Sequence, residues 1–127
     1  MDVTLTYFLV VSDQDRSRDW YRDLFDGEVV RERDPVILQV AGSTLILNTG
    51  GGPTADKPSV RLEVPPDPDT VSAFLNVRVE DIAEVHQAWT AKGAVFLTPP
   101  IDRGPELRCY LRDPDGHLIE VGQSTGR

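Results

Sequence analysis

The feature that most constrains this chain is an internal repeat. Residues 5–11 are rich in aromatic and β-branched side chains and short enough for a strand. Ser12 and Asp13 read as a helix N-cap. Ser17, Trp20, Tyr21, Leu24 and Phe25 then recur at the spacing of one helical face. Gly27 is expected to end that helix as its C′ residue. Three further strands are read at 28–33, 36–40 and 44–48, separated by Asp34-Pro35 and Ala41-Gly42-Ser43. The order is βαβββ.

That order returns in the second half. A strand at 73–79 precedes Asp81, the cap of a second helix, with Glu84 completing a capping box. Ile82, Val85 and Trp89 form its buried face, and Lys92 and Gly93 close it. A strand is read at 94–97, then Pro99-Pro100 and a loop to Pro105. Strands at 107–112 and 118–121 are joined by Asp113-Pro114-Asp115-Gly116, whose proline and glycine fit a type I turn. An offset of 68 lays Val79 on Val11, Asp81 on Asp13 and Trp89 on Tyr21. The last strands differ by 74, which lays Gly116-His117-Leu118-Ile119-Glu120 over Gly42-Ser43-Thr44-Leu45-Ile46. A unit that cannot bury its own sheet face implies paired units. Between the repeats, Gly50-Gly51-Gly52 and five prolines mark a linker with a short strand at 60–64. The expectation is an α+β fold in one domain, residues 1–127: module one at 4–48, linker at 49–71, module two at 72–123.

Composition removes several classes of function. The 127 residues hold 13 basic and 21 acidic side chains, a formal charge of −8 at pH 7. Such a chain repels phosphate backbones and tolerates or attracts a cationic small molecule, so no nucleic acid partner is expected. No apolar run is long enough to span a membrane and no signal peptide is visible. The lone Cys109 cannot form an internal disulfide, which fits a reducing, cytoplasmic compartment. No nucleophile elbow, phosphate loop or Cys-x-x-Cys pair is present.

The segment Val11-Ser12-Asp13-Gln14-Asp15-Arg16-Ser17-Arg18-Asp19-Trp20-Tyr21-Arg22-Asp23-Leu24-Phe25-Asp26-Gly27 resembles the first helix of the vicinal oxygen chelate superfamily. Arg112-Asp113-Pro114-Asp115-Gly116-His117-Leu118-Ile119-Glu120 resembles that family's final hairpin. The superfamily groups glyoxalase I, bleomycin-resistance proteins, methylmalonyl-CoA epimerase, fosfomycin-resistance enzymes and extradiol dioxygenases. The resemblance covers nearly the whole chain. It implies two βαβββ modules whose sheets curl into a cup, paired as a homodimer.

Metal-using members of that family place ligands at four equivalent positions, which fall here on Thr6, Ile46, Phe74 and Glu120. Of these, only Glu120 ligates a divalent ion well. The two histidines lie elsewhere: His86 mid-helix as a packing residue, His117 as an exposed hairpin residue. No metal and no cofactor are therefore expected.

Strand alternation puts Thr6, Phe8, Ile46, Asn48, Phe74, Asn76, Arg78 and Glu120 on the cup face, with Tyr110 preferred inward on its strand. That mixture suits a small-molecule pocket, although the same aromatics also suit a filled core. Glu120 reads as the partner of a cationic ligand or a general base, or as a relic paired with Arg78. The resemblance and the missing ligands point to a bleomycin-resistance-like protein that binds a small, aromatic and cationic molecule without a metal. The alternative is a lyase or isomerase using Glu120 as base or residual metal ligand.

Overall fold

A computed structural model describes all residues, 1–127. The element order is β1 (Tyr7–Val10), α1 (Gln14–Phe25), β2 (Glu28–Arg31), β3 (Val36–Val40), β4 (Ser43–Asn48), β5 (Leu75–Arg78), α2 (Ile82–Ala91), β6 (Ile101–Asp102), β7 (Glu106–Arg112) and β8 (Leu118–Ser124). This is βαβββ twice. The chain divides into two compact units, Met1–Pro66 and Asp67–Arg127.

In unit one, α1 starts where Asp13 caps it: the Asp13 carboxylate accepts from the Arg16 backbone N–H at 3.0 Å. Ser17, Tyr21 and Leu24 are the buried residues of this helix. The strand order is β1-β4-β3-β2, with β1 and β4 parallel and the other pairs antiparallel. Alternation then sorts the side chains. Leu9, Val36, Leu38, Val40, Leu45 and Leu47 are buried, while Phe8, Ile37, Ile46 and Asn48 take the opposite, more open face.

Two details of unit one correct the sequence reading. The left-handed residue at the end of α1 is Asp26, with φ 51° and its N–H on the Arg22 carbonyl. Gly27 is needed for space: a Cβ there would lie 2.5 Å from Val40 Cγ1. Residues 60–64 do not form a strand. Leu62 makes an isolated two-bond bridge to Gly51, each bond 2.8 Å, and the prolines around it allow no longer ladder. Gly50 is required beside that bridge, since a Cβ would fall 2.1 Å from the Leu62 carbonyl oxygen. The Lys57 ammonium donates to the Gly52 carbonyl at 2.8 Å, so the Gly/Pro segment closes on itself as a loop.

Unit two repeats the arrangement. Asp81 caps α2 by accepting from the Glu84 N–H at 3.1 Å. Gly93, at φ 98°, is a left-handed glycine after this helix. The strand order is β5-β8-β7-β6, again with one parallel pair, β5 with β8. Ile82, Trp89, Cys109, Leu111, Ile119 and Val121 are buried. The expected strand at 94–97 reduces to one bridge, Phe96 to Leu111, because Pro99-Pro100 stops the ladder. The loop that follows it instead contains β6, paired with Leu107 and Arg108 of β7. His86 packs on Phe96, ring centroids 4.4 Å apart. His117 is half-buried rather than exposed; its N–H donates to the buried Asp113 carboxylate at 2.8 Å, which also accepts from Asp115. This closes the Asp-Pro-Asp-Gly turn, with Gly116 at φ 89°.

The two modules share one register. Phe8 lies beside Ile46 in unit one, and Asn76 beside Glu120 in unit two. Val10 beside Asn48 corresponds in the same way to Arg78 beside Gly122. The offsets are the 68 and 74 of the repeat.

Candidate functional site

Side chains capable of chemistry concentrate on one sheet face of unit two. The ladder sets them in two transverse rows. Asn76, Glu120 and Tyr110 are direct neighbours across β5, β8 and β7. Two residues further along β8, Arg78 and Arg108 flank Gly122. Adjacent same-face residues on a strand are about 7 Å apart, which sets the row spacing.

The first row holds a carboxylate out of water. Glu120 is only 5% exposed, and the Tyr110 hydroxyl donates to its Oε2 at 3.2 Å. Burial, then the negative charge of Glu120, pushes the Tyr110 phenol above its usual range. Phe74, just before β5, meets the Tyr110 ring edge-on with centroids 6.1 Å apart. The result is an aromatic corner beside a buried carboxylate.

The second row holds the two guanidinium groups. Arg78 Nη1 donates to Glu106 Oε2 at 2.9 Å, and Arg108 Nη1 to Glu106 Oε1 at 3.3 Å. The Arg78 hydrogen bond holds the Glu106 carboxyl below the ordinary range, against a smaller opposing effect of burial. The Arg108 guanidinium carbon lies 6.0 Å from the Tyr110 ring centroid. Gly122 makes room for this row: a Cβ on it would sit 1.9 Å from Arg78 Nη1.

The structure thus pairs Arg78 with Glu106, and the ion pair considered between Arg78 and Glu120 gives way to a Tyr110–Glu120 hydrogen bond. Of the sequence-selected residues, Phe74, Asn76, Arg78, Tyr110 and Glu120 come together on this face. Thr6, Phe8, Ile46 and Asn48 belong to unit one. There Thr6 is exposed ahead of β1, Phe8 is 46% exposed, and Asn48 turns its side-chain oxygen to the Thr49 N–H at 2.8 Å. Glu106 and Arg108 were not selected. The available signal was the period-two run Glu106, Arg108, Tyr110, Arg112, but Glu106 follows Pro105 and reads as loop.

The four positions offer a divalent ion little. Thr6 and Ile46 in unit one and Phe74 in unit two are not strong ligands, which leaves Glu120. No group of three His, Cys, Asp or Glu side chains comes together to hold one. The residues at these positions do not fit a transition metal.

Two βαβββ modules in one register, each with a parallel first-to-last strand pair, define the class of paired-module α+β proteins. Within it, the chain belongs to the Glyoxalase/Bleomycin resistance protein/Dioxygenase superfamily, whose profile matches residues 4–121. No curated protein matches the chain. Similar solved structures include an integron cassette protein from the mobile metagenome of V. cholerae, at 21% identity and TM-score 0.70, covering 97% of each chain. The fosfomycin resistance protein FosX from Listeria monocytogenes is similar at 15% identity and TM-score 0.69, covering 98% of this chain and 95% of its own. Lactoylglutathione lyase from Agrobacterium tumefaciens is similar at 22% identity and TM-score 0.68, covering 96% and 94%. At these identities the likeness is one of fold. No helix is long and apolar enough to cross a membrane.

Proposed function

We propose that this protein binds a small aromatic cation without a metal, and that the unit-two face receives it. One observation carries this reading: Glu120 is buried, it accepts from the neutral Tyr110 hydroxyl, and its carboxyl meets that of Glu106, the acid that both Arg78 and Arg108 already hold. A carboxylate taken out of water and left charged is destabilised by several kcal/mol unless a cation pairs with it. A guest ammonium would provide that charge, and the Phe74–Tyr110 corner would take its ring. The formal charge of −8 supports attraction of such a guest at long range. A homodimer in the cytoplasm is part of the same reading.

The test is a thermal-shift titration with benzylamine. The midpoint rises with amine concentration in the native chain, and Glu120→Gln abolishes the rise. No rise, or a rise that survives the substitution, sinks the reading. Light scattering on the purified chain checks the dimer; a monomer at tens of micromolar would remove it.

The Tyr110–Glu120 hydrogen bond favours one second reading, a metal-free lyase or isomerase with Glu120 as general base. Turnover lost in Glu120→Gln while ligand binding persists would select it.

A further inference from the structure

The proposed guest is longer than one ring. We infer that the unit-two face takes an aromatic amine whose far end, away from the ammonium, is a second apolar group resting on Leu97 and Ile101. The inference rests on the reading of Glu120 as a cation's partner and adds the part of the ligand that reaches the sheet edge.

The two rows of this face do not stop at β7. Leu97 donates its backbone N–H to the Tyr110 carbonyl at 2.8 Å, and Ile101 is the ladder partner of Arg108. The first row therefore runs Asn76, Glu120, Tyr110, Leu97, and the second Arg78, Gly122, Arg108, Ile101. Cross-strand partners share a face, so Ile101 stands on the side of Arg108. Phe96 pairs with Leu111 of the covered face and packs on His86 of α2. Leu97, next in the chain, takes the opposite side by alternation. The two residues are 52% and 47% exposed.

Single exposed aliphatic residues are ordinary on a surface. These two end the rows that hold the buried carboxylate and the Phe74–Tyr110 corner, and they make the β6 side of the face apolar. The ionic groups Arg78, Arg108, Glu106 and Glu120 all lie on β5, β7 and β8, in one cluster where the Glu106 and Glu120 carboxyls meet. A second charge on the guest would find no partner at Leu97 or Ile101, whereas an apolar group would be shielded from water there. The edge itself does not suit an added strand. Pro99 and Pro100, between the two residues, have no N–H to donate, and β6 is only two residues long. A small molecule lying across the face needs no such ladder. Spacing sets its length: neighbouring strands are about 4.8 Å apart, so β8 and the β6 edge are separated by about 10 Å. A benzylamine whose ammonium meets Glu120 ends over Tyr110, and a second ring in the para position reaches Leu97 and Ile101.

Three amines test this: benzylamine, 4-phenylbenzylamine, which adds an apolar ring, and 4-carbamoylbenzylamine, which adds a polar group. Each is titrated into the full chain and followed by the backbone amide signals of Leu97, Ile101 and Tyr110 in two-dimensional NMR. The two-ring amine is expected to bind about tenfold more tightly than benzylamine, the effect of burying about 55 Å² of apolar surface. The carbamoyl amine should bind no more tightly than benzylamine. Leu97→Ser and Ile101→Ser should each narrow the tenfold gap and leave benzylamine unchanged. Val30→Ser, at a 57% exposed valine of unit one, should leave the gap intact. Unchanged amide signals away from the face confirm that each variant is folded. If benzylamine binds through Glu120 but the gap is absent, survives the Leu97→Ser, Ile101→Ser double variant, or is lost equally in Val30→Ser, the apolar end is wrong and the cation-binding reading stands. If neither benzylamine nor its two-ring analogue binds, or if Glu120→Gln leaves both as tight, both readings fall.

Discussion

The two sheet faces occupy the same frame and differ in almost every side chain. In unit one the central row across the strands is Phe8, Ile46 and Ile37, wholly apolar. In unit two the β5–β8 pair that matches Phe8–Ile46 is Asn76–Glu120, and Tyr110 completes the row on β7. The next matched pair is Val10 beside Asn48 in one unit and Arg78 beside Gly122 in the other. The covered faces diverge far less, being lined in both units by apolar residues, with Cys109 in the place of Val36. What the repeat preserves is the backbone ladder and the layer beneath it. The opposite face is less uniformly buried, and it is there that the two units differ. Unit one keeps an apolar floor, and unit two concentrates the charge.

The comparison can be broken most severely at the covered faces. Leu38 and Leu111 are corresponding, fully buried residues. Leu38→Ala and Leu111→Ala are each expected to cost about 2–5 kcal/mol in urea unfolding. Equal costs support equivalent cores, whereas a near-neutral result at either site denies them.

Next in size is a transplant. Ile46→Glu puts the Glu120 carboxylate into the unit-one frame, where Phe8 and Ile37 are the ladder neighbours. About 1–3 kcal/mol of destabilisation is expected at neutral pH. The same chemical denaturation measures it, and a neutral outcome would mean that the unit-one face is as wet as any surface.

A smaller effect sharpens the unit-two row. Gly122→Ala drives the Arg78 guanidinium off its seat and away from Glu106. The Glu106 carboxyl, held low by that contact, should then titrate closer to its ordinary range in an NMR pH series. A depressed carboxyl contributes stability above its unfolded pKa and loses it as pH falls through the folded value. The variant should therefore lose less stability than the native chain on acidification below the ordinary glutamate range. An unmoved Glu106 titration would remove Arg78 as its cause.

The smallest expected signal is the thiol of Cys109, buried under the unit-two sheet and pushed up to about 11 by that burial. An aromatic disulfide reagent at pH 8 should leave it unmodified in the native chain and label it in denaturant.

Much of this was legible in the chain. The offsets of 68 and 74 return as the observed strand registers, because alternation and caps are local signals that tertiary packing had no reason to override. Asp13 and Asp81 cap the helices as their side chains dictate. Other parts were not legible. The strand at 94–97 failed because a prefix of apolar residues says nothing of whether a partner strand is free to pair with it, and Pro99-Pro100 ended the ladder after one bridge. Gly27 was identified for the wrong reason, since the contact with Val40 that excludes a Cβ crosses thirteen positions of sequence. The site shows the same limit. Glu120, Tyr110, Arg78 and Asn76 follow from strand period. Which base pairs with which acid does not, because Arg78 and Glu106 are 28 residues apart and meet through two ladders.

Gly122 has a consequence for how such a face changes over generations. The seat of Arg78 is a single hydrogen atom wide, so one nucleotide exchange converting this glycine to alanine would move that guanidinium without adding or removing a charge. A lineage carrying this scaffold can therefore re-aim a charged side chain on this face by a change at a neighbouring strand, with the charged residue itself untouched.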